Sequence, residues 1–204
     1  MISIIDYGAG NLNSVEKAVR FLGFECTVTG DKDEILSSDK LILPGVGAFE
    51  DAMKHLRDSG LHRAVYDAVE KKIPILGICL GMQLFYEQSE EGNRPLGLGI
   101  LKGKIKRFPD TLDLKIPQMG WNNLKIQKKC RLFDGLENPY VYFVHSYYLE
   151  AENRDEVAAV CEYGISFDAA VETGSIFLTQ FHPEKSGDAG LKILRNFIGE
   201  KGEK

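Results

Sequence analysis

Long hydrophobic runs and an excess of positive charge are both missing from this sequence. The apolar run around Cys79 is interrupted by Gln83 and is far shorter than the roughly 20 residues that a membrane-spanning helix needs. The 30 acidic residues outnumber the 25 basic ones, so the net charge is −5. This balance argues against a nucleic-acid or anionic-membrane surface. The one basic cluster, residues 102–107, alternates in a way that is typical of the exposed face of a strand.

Cysteine and histidine are scarce, with four of each in the chain. The cysteines show no CxxC spacing and no HExxH motif is present, so the sequence predicts neither a zinc site nor another cofactor. The first six residues lack the basic start of a secretory signal peptide. We therefore expect a reduced, cytoplasmic protein.

The first half of the sequence alternates short apolar runs with helical patterns. Four runs predict strands: Ile2–Ile5 and residues 24–29, 41–43 and 73–78. A capping box of Asn13 and Glu16 is expected to begin the first helix, and residues 49–72 carry two more helical segments. This alternation predicts a parallel sheet with helices on both faces.

The second half has a different pattern. Between residues 98 and 180, short β-rich runs are separated by Gly, Pro and Asn, so we expect antiparallel strands added to the sheet. A helix over residues 188–200 closes the chain. Because no repeat or linker interrupts the pattern, the sequence predicts one α/β domain over residues 1–204.

Cys79 lies between Gly77 and Gly81, where a predicted strand meets a helical pattern. In G-x-S-x-G hydrolases the nucleophile occupies such a strained turn, and the flanking glycines leave room for it. A helix N-terminus also favours the thiolate form of cysteine. Free cysteines are otherwise often inert core residues. That reading fits Cys26, Cys130 and Cys161, whereas the surroundings of Cys79 favour a nucleophile.

A thiolate nucleophile needs an acid/base group, and the acid/base group in turn needs a residue that orients it. His182 and Glu184 are two positions apart, so in an extended segment both side chains would project to the same side. Pro183 favours that geometry at His182. Alternatively, His182 is structural and Glu184 only begins a helix. The pattern indicates a Cys-His-Glu triad.

Residues 44–47, Pro-Gly-Val-Gly, follow the third predicted strand, which we expect to stop at this Pro-Gly pair. A tetrahedral intermediate needs backbone N–H donors for its oxyanion. Two glycines permit the unusual backbone angles of such a donor segment. A plain tight turn is the alternative.

Together, residues 44–47, 77–83 and 181–186 resemble motifs of the class I glutamine amidotransferases. Residues 6–12, 119–122 and 142–147 are similar, more narrowly, to the glutaminase subunits of imidazole glycerol phosphate synthase. The resemblance implies a flavodoxin-like three-layer sandwich with a mostly parallel sheet and an antiparallel, β-rich C-terminal half.

The resemblance also implies residue roles. Cys79 is then the nucleophile, His182 the acid/base and Glu184 its orienting residue. The implied oxyanion donors are backbone N–H groups of Leu80 and of Val46 or Gly47. The implied glutamine-binding residues are Gly45, Gln83, Ser146 and Tyr147. The implied partner-facing residues are Asn11, Met119, Trp121, Tyr142 and Lys185. Gln118 departs from the pattern, because many relatives are expected to have His there.

The function implied is hydrolysis of L-glutamine to glutamate and ammonia, which passes to a (β/α)8-barrel cyclase partner that makes imidazole glycerol phosphate and AICAR in histidine biosynthesis. Two alternatives stay open: a paralogous subunit serving another synthase, and a stand-alone cysteine γ-glutamyl hydrolase. A nucleotide-binding module, suggested by Gly8 and Gly10, is disfavoured because Asn13 stands where the third glycine belongs. No nucleic-acid or membrane partner is implied.

Overall fold

The structure, a computed structural model, describes residues 1–199. Its strands are β1 (Ile2–Ile5), β2 (Cys26–Thr29), β3 (Lys40–Gly45), β4 (Ile75–Cys79), β5 (Gln88–Ser89), β6 (Gly103–Arg107), β7 (Gln118–Asn123), β8 (Lys125–Ile126), β9 (Tyr140–His145), β10 (Tyr147–Ala151), β11 (Val157–Glu162), β12 (Ser166–Thr173) and β13 (Ile176–Thr179). The α-helices are α1 (Leu12–Phe21), α2 (Lys32–Leu36), α3 (Phe49–Asp58), α4 (Leu61–Glu70), α5 (Leu80–Gln83) and α6 (Gly187–Ile198). The predicted end of the last helix, Glu200, lies outside the described residues.

The main sheet begins with a doubly wound parallel half. Strands β2, β1, β3, β4 and β13 are parallel neighbours in that order, which is the flavodoxin-like arrangement. The sheet continues through the antiparallel strands β12, β10 and β6. Strands β7 and β9 form a separate antiparallel ribbon. The predicted fold class, including the added antiparallel half, is confirmed.

Helices cover both faces of the parallel half because successive strand side chains point to opposite faces. One buried cluster joins the strands to α3 and α4 and includes Ile5, Leu41, Ile75, Phe49, Leu56 and Val65. The other joins them to α1 and α6 and includes Ile4, Ile42, Leu76, Val15, Val19, Ile193 and Phe197. Strands buried on both faces are typical of parallel sheets, and the result is three layers.

Several predicted boundaries are wrong. Strands β2 and β4 each begin two residues later than predicted. The capping box does not form: α1 already begins at Leu12, and Glu16 instead pairs with Arg20 at 3.0 Å. Gly10, at φ +120°, turns the chain early enough for the helix to begin two residues sooner. Strand β3 also continues past its predicted stop, because Gly45 still pairs with Cys79 in β4.

The four cysteines are free thiols. Cys26, Cys79 and Cys161 are buried, and Cys130 is half-buried. Within residues 1–199, no helix has the length and apolar character needed to cross a bilayer. The basic cluster lies largely in β6, where Ile105 is buried while Lys104 and Arg107 are exposed.

Candidate active site

Cys79 sits on a strained turn at the junction of β4 and α5. Its backbone angles are φ 54° and ψ −113°, a region that non-glycine residues rarely adopt. Such strain persists only where the surrounding structure enforces it, and it concentrates at functional sites. The thiol is therefore held at the carboxyl edge of the parallel sheet, at the start of a helix, as the sequence predicts.

The two glycines around Cys79 are there because the turn has no space for side chains. A Cβ on Gly81 would lie 1.9 Å from the carbonyl oxygen of Leu43. A Cβ on Gly77 would lie 2.7 Å from Cδ2 of Leu178. Thus α5 can pack directly against β3, and β4 against β13, only with glycine at both positions.

His182 and Glu184 are in direct contact beside this turn. Nδ1 of His182 lies 2.8 Å from Oε1 of Glu184, and their side chains are 2% and 1% exposed. The contact is made by a 3₁₀ turn, Pro183–Lys185, and not by the extended segment that the spacing suggested. The backbone N–H of His182 donates to the carbonyl of Tyr142 in β9, which anchors the histidine.

The electrostatic surroundings of His182 favour its charged form. Burial acts to lower the pKa of His182, because it disfavours the charged ring. The Cys79 thiolate and the Glu184 carboxylate outweigh burial, and the pKa rises to about 10. Nε2 of His182 is buried and has no hydrogen-bond partner within residues 1–199. The ring is therefore held through Nδ1, and Nε2 remains available to exchange a proton with a reacting group.

A cavity of about 250 Å³ opens over the thiol. This volume suits a ligand the size of an amino acid. Its wall contains predicted site residues from four separate parts of the chain. The lining residues are Val46, Gly47, Cys79, Leu80, Gln83, Glu91, Val144, His145, Ser146, Tyr147 and His182.

The predicted oxyanion segment lies on the cavity wall, but its two glycines differ. A Cβ on Gly45 would lie 2.5 Å from the backbone nitrogen of Gly81, so Gly45 packs against the turn and does not line the cavity. Gly47 has φ +94°, and a Cβ there would have no atom within 4 Å. Val46 is 42% exposed. Conformational freedom in this segment is therefore concentrated at Val46 and Gly47.

Gln83 reaches the cavity with its amide nitrogen already engaged. Nε2 donates to the carbonyl of Tyr147 at 3.2 Å and to Oε1 of Gln180 at 2.9 Å. An amide nitrogen has two hydrogens, so these contacts use both. Only Oε1 of Gln83 remains for a ligand, and it accepts hydrogen bonds.

Sequence reasoning missed three polar residues here. Glu91 lines the cavity and accepts from the backbone N–H of Phe49 at 2.9 Å; it lies outside every motif, so no signal pointed to it. Gln180 is fully buried with its Nε2 3.7 Å from the Cys79 sulfur. His145 lies within a quoted motif and lines the cavity.

His145 also contacts Gln118, the residue that departs from the expected family pattern. Nδ1 of His145 is 2.8 Å from the carbonyl oxygen of Tyr147, and its Nε2 is 3.0 Å from Oε1 of Gln118. Burial lowers the pKa of His145 to about 4, so the ring is neutral at physiological pH. A neutral imidazole has a single N–H, so it can donate to only one of these two acceptors, the Tyr147 carbonyl or Oε1 of Gln118.

The predicted partner-facing residues cluster beside the His182 turn. Met119 and Trp121 in β7 are 59% and 56% exposed. Tyr142 pairs with Trp121 across the ribbon, with the ring centroids 6.2 Å apart and edge to face. Lys185 is exposed at the end of the turn. Helix α1, which Asn11 precedes, packs against the same turn.

Comparisons with known proteins agree with this geometry. A family model described as glutamine amidotransferase class-I matches residues 3–200. The chain is similar to imidazole glycerol phosphate synthase subunit HisH of Geobacillus kaustophilus (strain HTA426), with 49% identity covering 98% of this chain and 96% of that protein. It is 50% identical to the HisH subunit of Caldanaerobacter subterraneus subsp. tengcongensis, with 97% of each covered. Its fold resembles PurLQS from Thermotoga maritima, with a TM-score of 0.76, 19% identity and 97% and 96% coverage. The chain belongs to the class I glutamine amidotransferase family.

Proposed function

We propose that the protein is the glutaminase subunit of imidazole glycerol phosphate synthase in histidine biosynthesis. It hydrolyses L-glutamine to glutamate and ammonia through a thioester on Cys79. The observation that carries this proposal is the buried contact of His182 with Glu184, 2.8 Å long, beside a strained thiol on the cavity wall. Identity of 49% to a HisH subunit over nearly the whole chain supports the particular synthase.

The triad divides the hydrolysis into two steps. The Cys79 sulfur attacks the side-chain carbonyl carbon of glutamine, and the C–N bond breaks as protonated His182 delivers its Nε2 proton to the departing ammonia. His182, now neutral, then removes a proton from water, which attacks the thioester; the C–S bond breaks and glutamate leaves. Glu184 holds the ring through Nδ1 and stabilises its positive charge.

Backbone groups around the thiol stabilise the oxyanion that forms in both steps. The donors are the N–H of Leu80 at the start of α5 and an N–H from Val46 or Gly47. Losing one such donor lowers kcat by about 10²–10³. Gly45 keeps the donor segment against the turn, since any side chain there would strike α5.

The remaining polar groups of the cavity hold the amino-acid end of glutamine. The carboxylate of Glu91 and Oε1 of Gln83 are acceptors, so they suit the α-ammonium group. The backbones of Ser146 and Tyr147 complete the wall on the β9–β10 side. This set fits a small zwitterion with an uncharged side chain directed at Cys79.

Ammonia passes to a (β/α)8-barrel cyclase partner, which makes imidazole glycerol phosphate and AICAR. The docking surface comprises Asn11, Met119, Trp121, Tyr142 and Lys185. Exposed large apolar side chains next to an active site are typical of interaction surfaces. The complex is a cytoplasmic heterodimer in which residues 1–204 form one glutaminase domain.

The decisive experiment separates glutamine use from ammonia use. In complex with the cyclase, Cys79→Ala should abolish glutamine-dependent synthesis of imidazole glycerol phosphate while leaving synthesis from added ammonium salts intact. Cys161→Ala, the matched control at another buried thiol, should retain both activities. A diazo-ketone analogue of glutamine should label Cys79 alone. Glutamine-dependent turnover by the Cys79→Ala complex would overturn the proposal.

A further inference from the structure

We propose that Gln180 is a further catalytic residue, whose side-chain amide N–H stabilises the Cys79 sulfur as the thiolate that attacks glutamine. This inference rests on the proposed function, because it concerns the same thiol. The side-chain amide of Gln180 is buried and takes no part in the triad chemistry.

The sheet register brings Gln180 next to the nucleophile. Strands β13 and β4 are parallel, and their last paired residues are Thr179 and Ile78. The next residue of each strand is therefore Gln180 and Cys79. Gln180 is fully buried, and its backbone N–H donates to the carbonyl of Ala169 at 2.9 Å. Its side chain thus starts from a rigid point beside the thiol.

A directed series of hydrogen bonds sets the orientation of the Gln180 amide. The Tyr147 carbonyl can only accept, so Gln83 must present its Nε2 there, at 3.2 Å. The same Nε2 donates to Oε1 of Gln180 at 2.9 Å. With its oxygen engaged by Gln83, the Gln180 amide turns its Nε2 to the Cys79 sulfur, at 3.7 Å.

The two protonation states of Cys79 use different neighbours. A thiol can donate, and the carbonyl of Val144 lies 4.0 Å from the sulfur. A thiolate can only accept, and Gln180 supplies a donor to it. Two titratable groups also face the sulfur, the charged ring of His182 and the buried phenol of Tyr7. Burial lowers the pKa of His182 and raises that of Tyr7, and the Cys79 charge raises the pKa of both. Hydrogen bonds to charged groups are stronger than those between neutral groups, the more so in a buried site. Gln180 therefore stabilises the thiolate more than the thiol and favours the reactive form.

The test measures Cys79 reactivity independently of glutamine turnover. In the complex with the cyclase, alkylation by iodoacetamide is followed across pH, and the modified Cys79 peptide is quantified by mass spectrometry. Gln180→Met, which keeps the side-chain length but removes the donor, should move the alkylation midpoint about one pH unit higher. The kcat for glutamine should fall about tenfold to a hundredfold, with KM little changed.

Two more variants test whether the shift in the alkylation midpoint comes from the Gln180 donor. Gln180→Glu can still accept from Gln83 but places a carboxylate at the sulfur, so its midpoint should move further in the same direction. Thr179→Val is the matched control, since the buried Thr179 hydroxyl has no partner within residues 1–199; it should leave the midpoint and kcat unchanged. Affinity for the cyclase, measured by titration calorimetry, reports that each variant is folded and assembles with its partner.

The inference is overturned if Gln180→Met retains the wild-type midpoint, or if the midpoint moves while kcat does not. If Gln180→Met does not assemble, Gln180→Asn, whose shorter chain withdraws the amide from the sulfur, replaces it with the same expectations. Failure of the proposed function looks different, because the wild-type complex itself would then not use glutamine, whatever the pH dependence of alkylation.

Discussion

The neutral ring of His145 makes protein stability depend on pH. Its pKa is lowered to about 4 by burial, while in the unfolded chain it returns to its ordinary value near 6.5. Between these values the unfolded chain binds a proton that the folded chain does not, so the free energy of unfolding decreases as pH falls through this window. The contribution lost by pH 4 is about 3 kcal/mol.

Urea unfolding at several pH values measures this effect. His145→Gln should show a shallower loss of stability than wild type between pH 6.5 and pH 4, since glutamine does not titrate. His62→Gln, at a half-buried histidine on α4, should keep the wild-type slope. Parallel curves for wild type and His145→Gln would show that His145 is not held neutral by the fold.

The ribbon of β7 and β9 joins the candidate docking surface to the catalytic histidine. Trp121 is 56% exposed on it, and Tyr142, its cross-strand partner, accepts the backbone N–H of His182. Central aromatic residues often dominate interfaces. Trp121→Ala should therefore weaken binding to the barrel cyclase by about 2 kcal/mol, or about 30-fold in Kd, as measured by titration calorimetry.

Leu96→Ala is the control for that measurement. Leu96 is 61% exposed but lies against α3, where its carbonyl accepts from Arg57, and its removal should not change Kd. Equal affinity of wild type and Trp121→Ala for the cyclase would show that the ribbon is not the docking surface.

Helices and strands with a clear apolar periodicity were predictable from sequence. The residues at which they begin and end depended on the elements next to them in the fold. Strand β4 and the split between α3 and α4 follow from local patterns. The extension of β3 through Gly45 depends on pairing with β4, and the early start of α1 depends on the turn at Gly10. The pairing of β3 with β4 is not visible in a local window of sequence, and the glycine before α1 does not by itself specify the residue at which the helix begins.

The same distinction holds for the site. The triad residues lie close to glycine and proline in the sequence, and the backbone constraints of these two residue types can be predicted from sequence alone. Glu91 and Gln180 carry no such signal, because tertiary contacts with Phe49 and Gln83 place them, Glu91 on the cavity wall and Gln180 beside the thiol. Even the contact between His182 and Glu184 was predicted for the wrong reason, since a 3₁₀ turn makes it.

For the molecule as a whole, we expect glutaminase activity to depend on the partner. A lone subunit that hydrolysed glutamine would release ammonia without an acceptor. The peptide between Val46 and Gly47 can reverse its N–H and carbonyl with little steric hindrance, because Gly47 has open space and a positive φ. A partner that binds better to the N–H-inward state would shift the population to it.

Steady-state kinetics of the lone chain and of the complex with cyclase and its nucleotide ligand test this expectation. The complex should raise kcat by about 10²–10³, the value of one oxyanion donor. Gly47→Val should reduce that activation while Cys79 still reacts with iodoacetamide. Equal kcat with and without the partner would rule out this form of control.

The charges at the thiol act differently on substrate and product. Glutamine enters with an uncharged side chain, whereas glutamate leaves with a γ-carboxylate formed beside the regenerated Cys79 sulfur. A thiolate repels this carboxylate, while protonated His182, whose pKa is raised to about 10, attracts it. The two opposite charges at the thiol largely offset each other, so the site does not hold on to the product that it has formed.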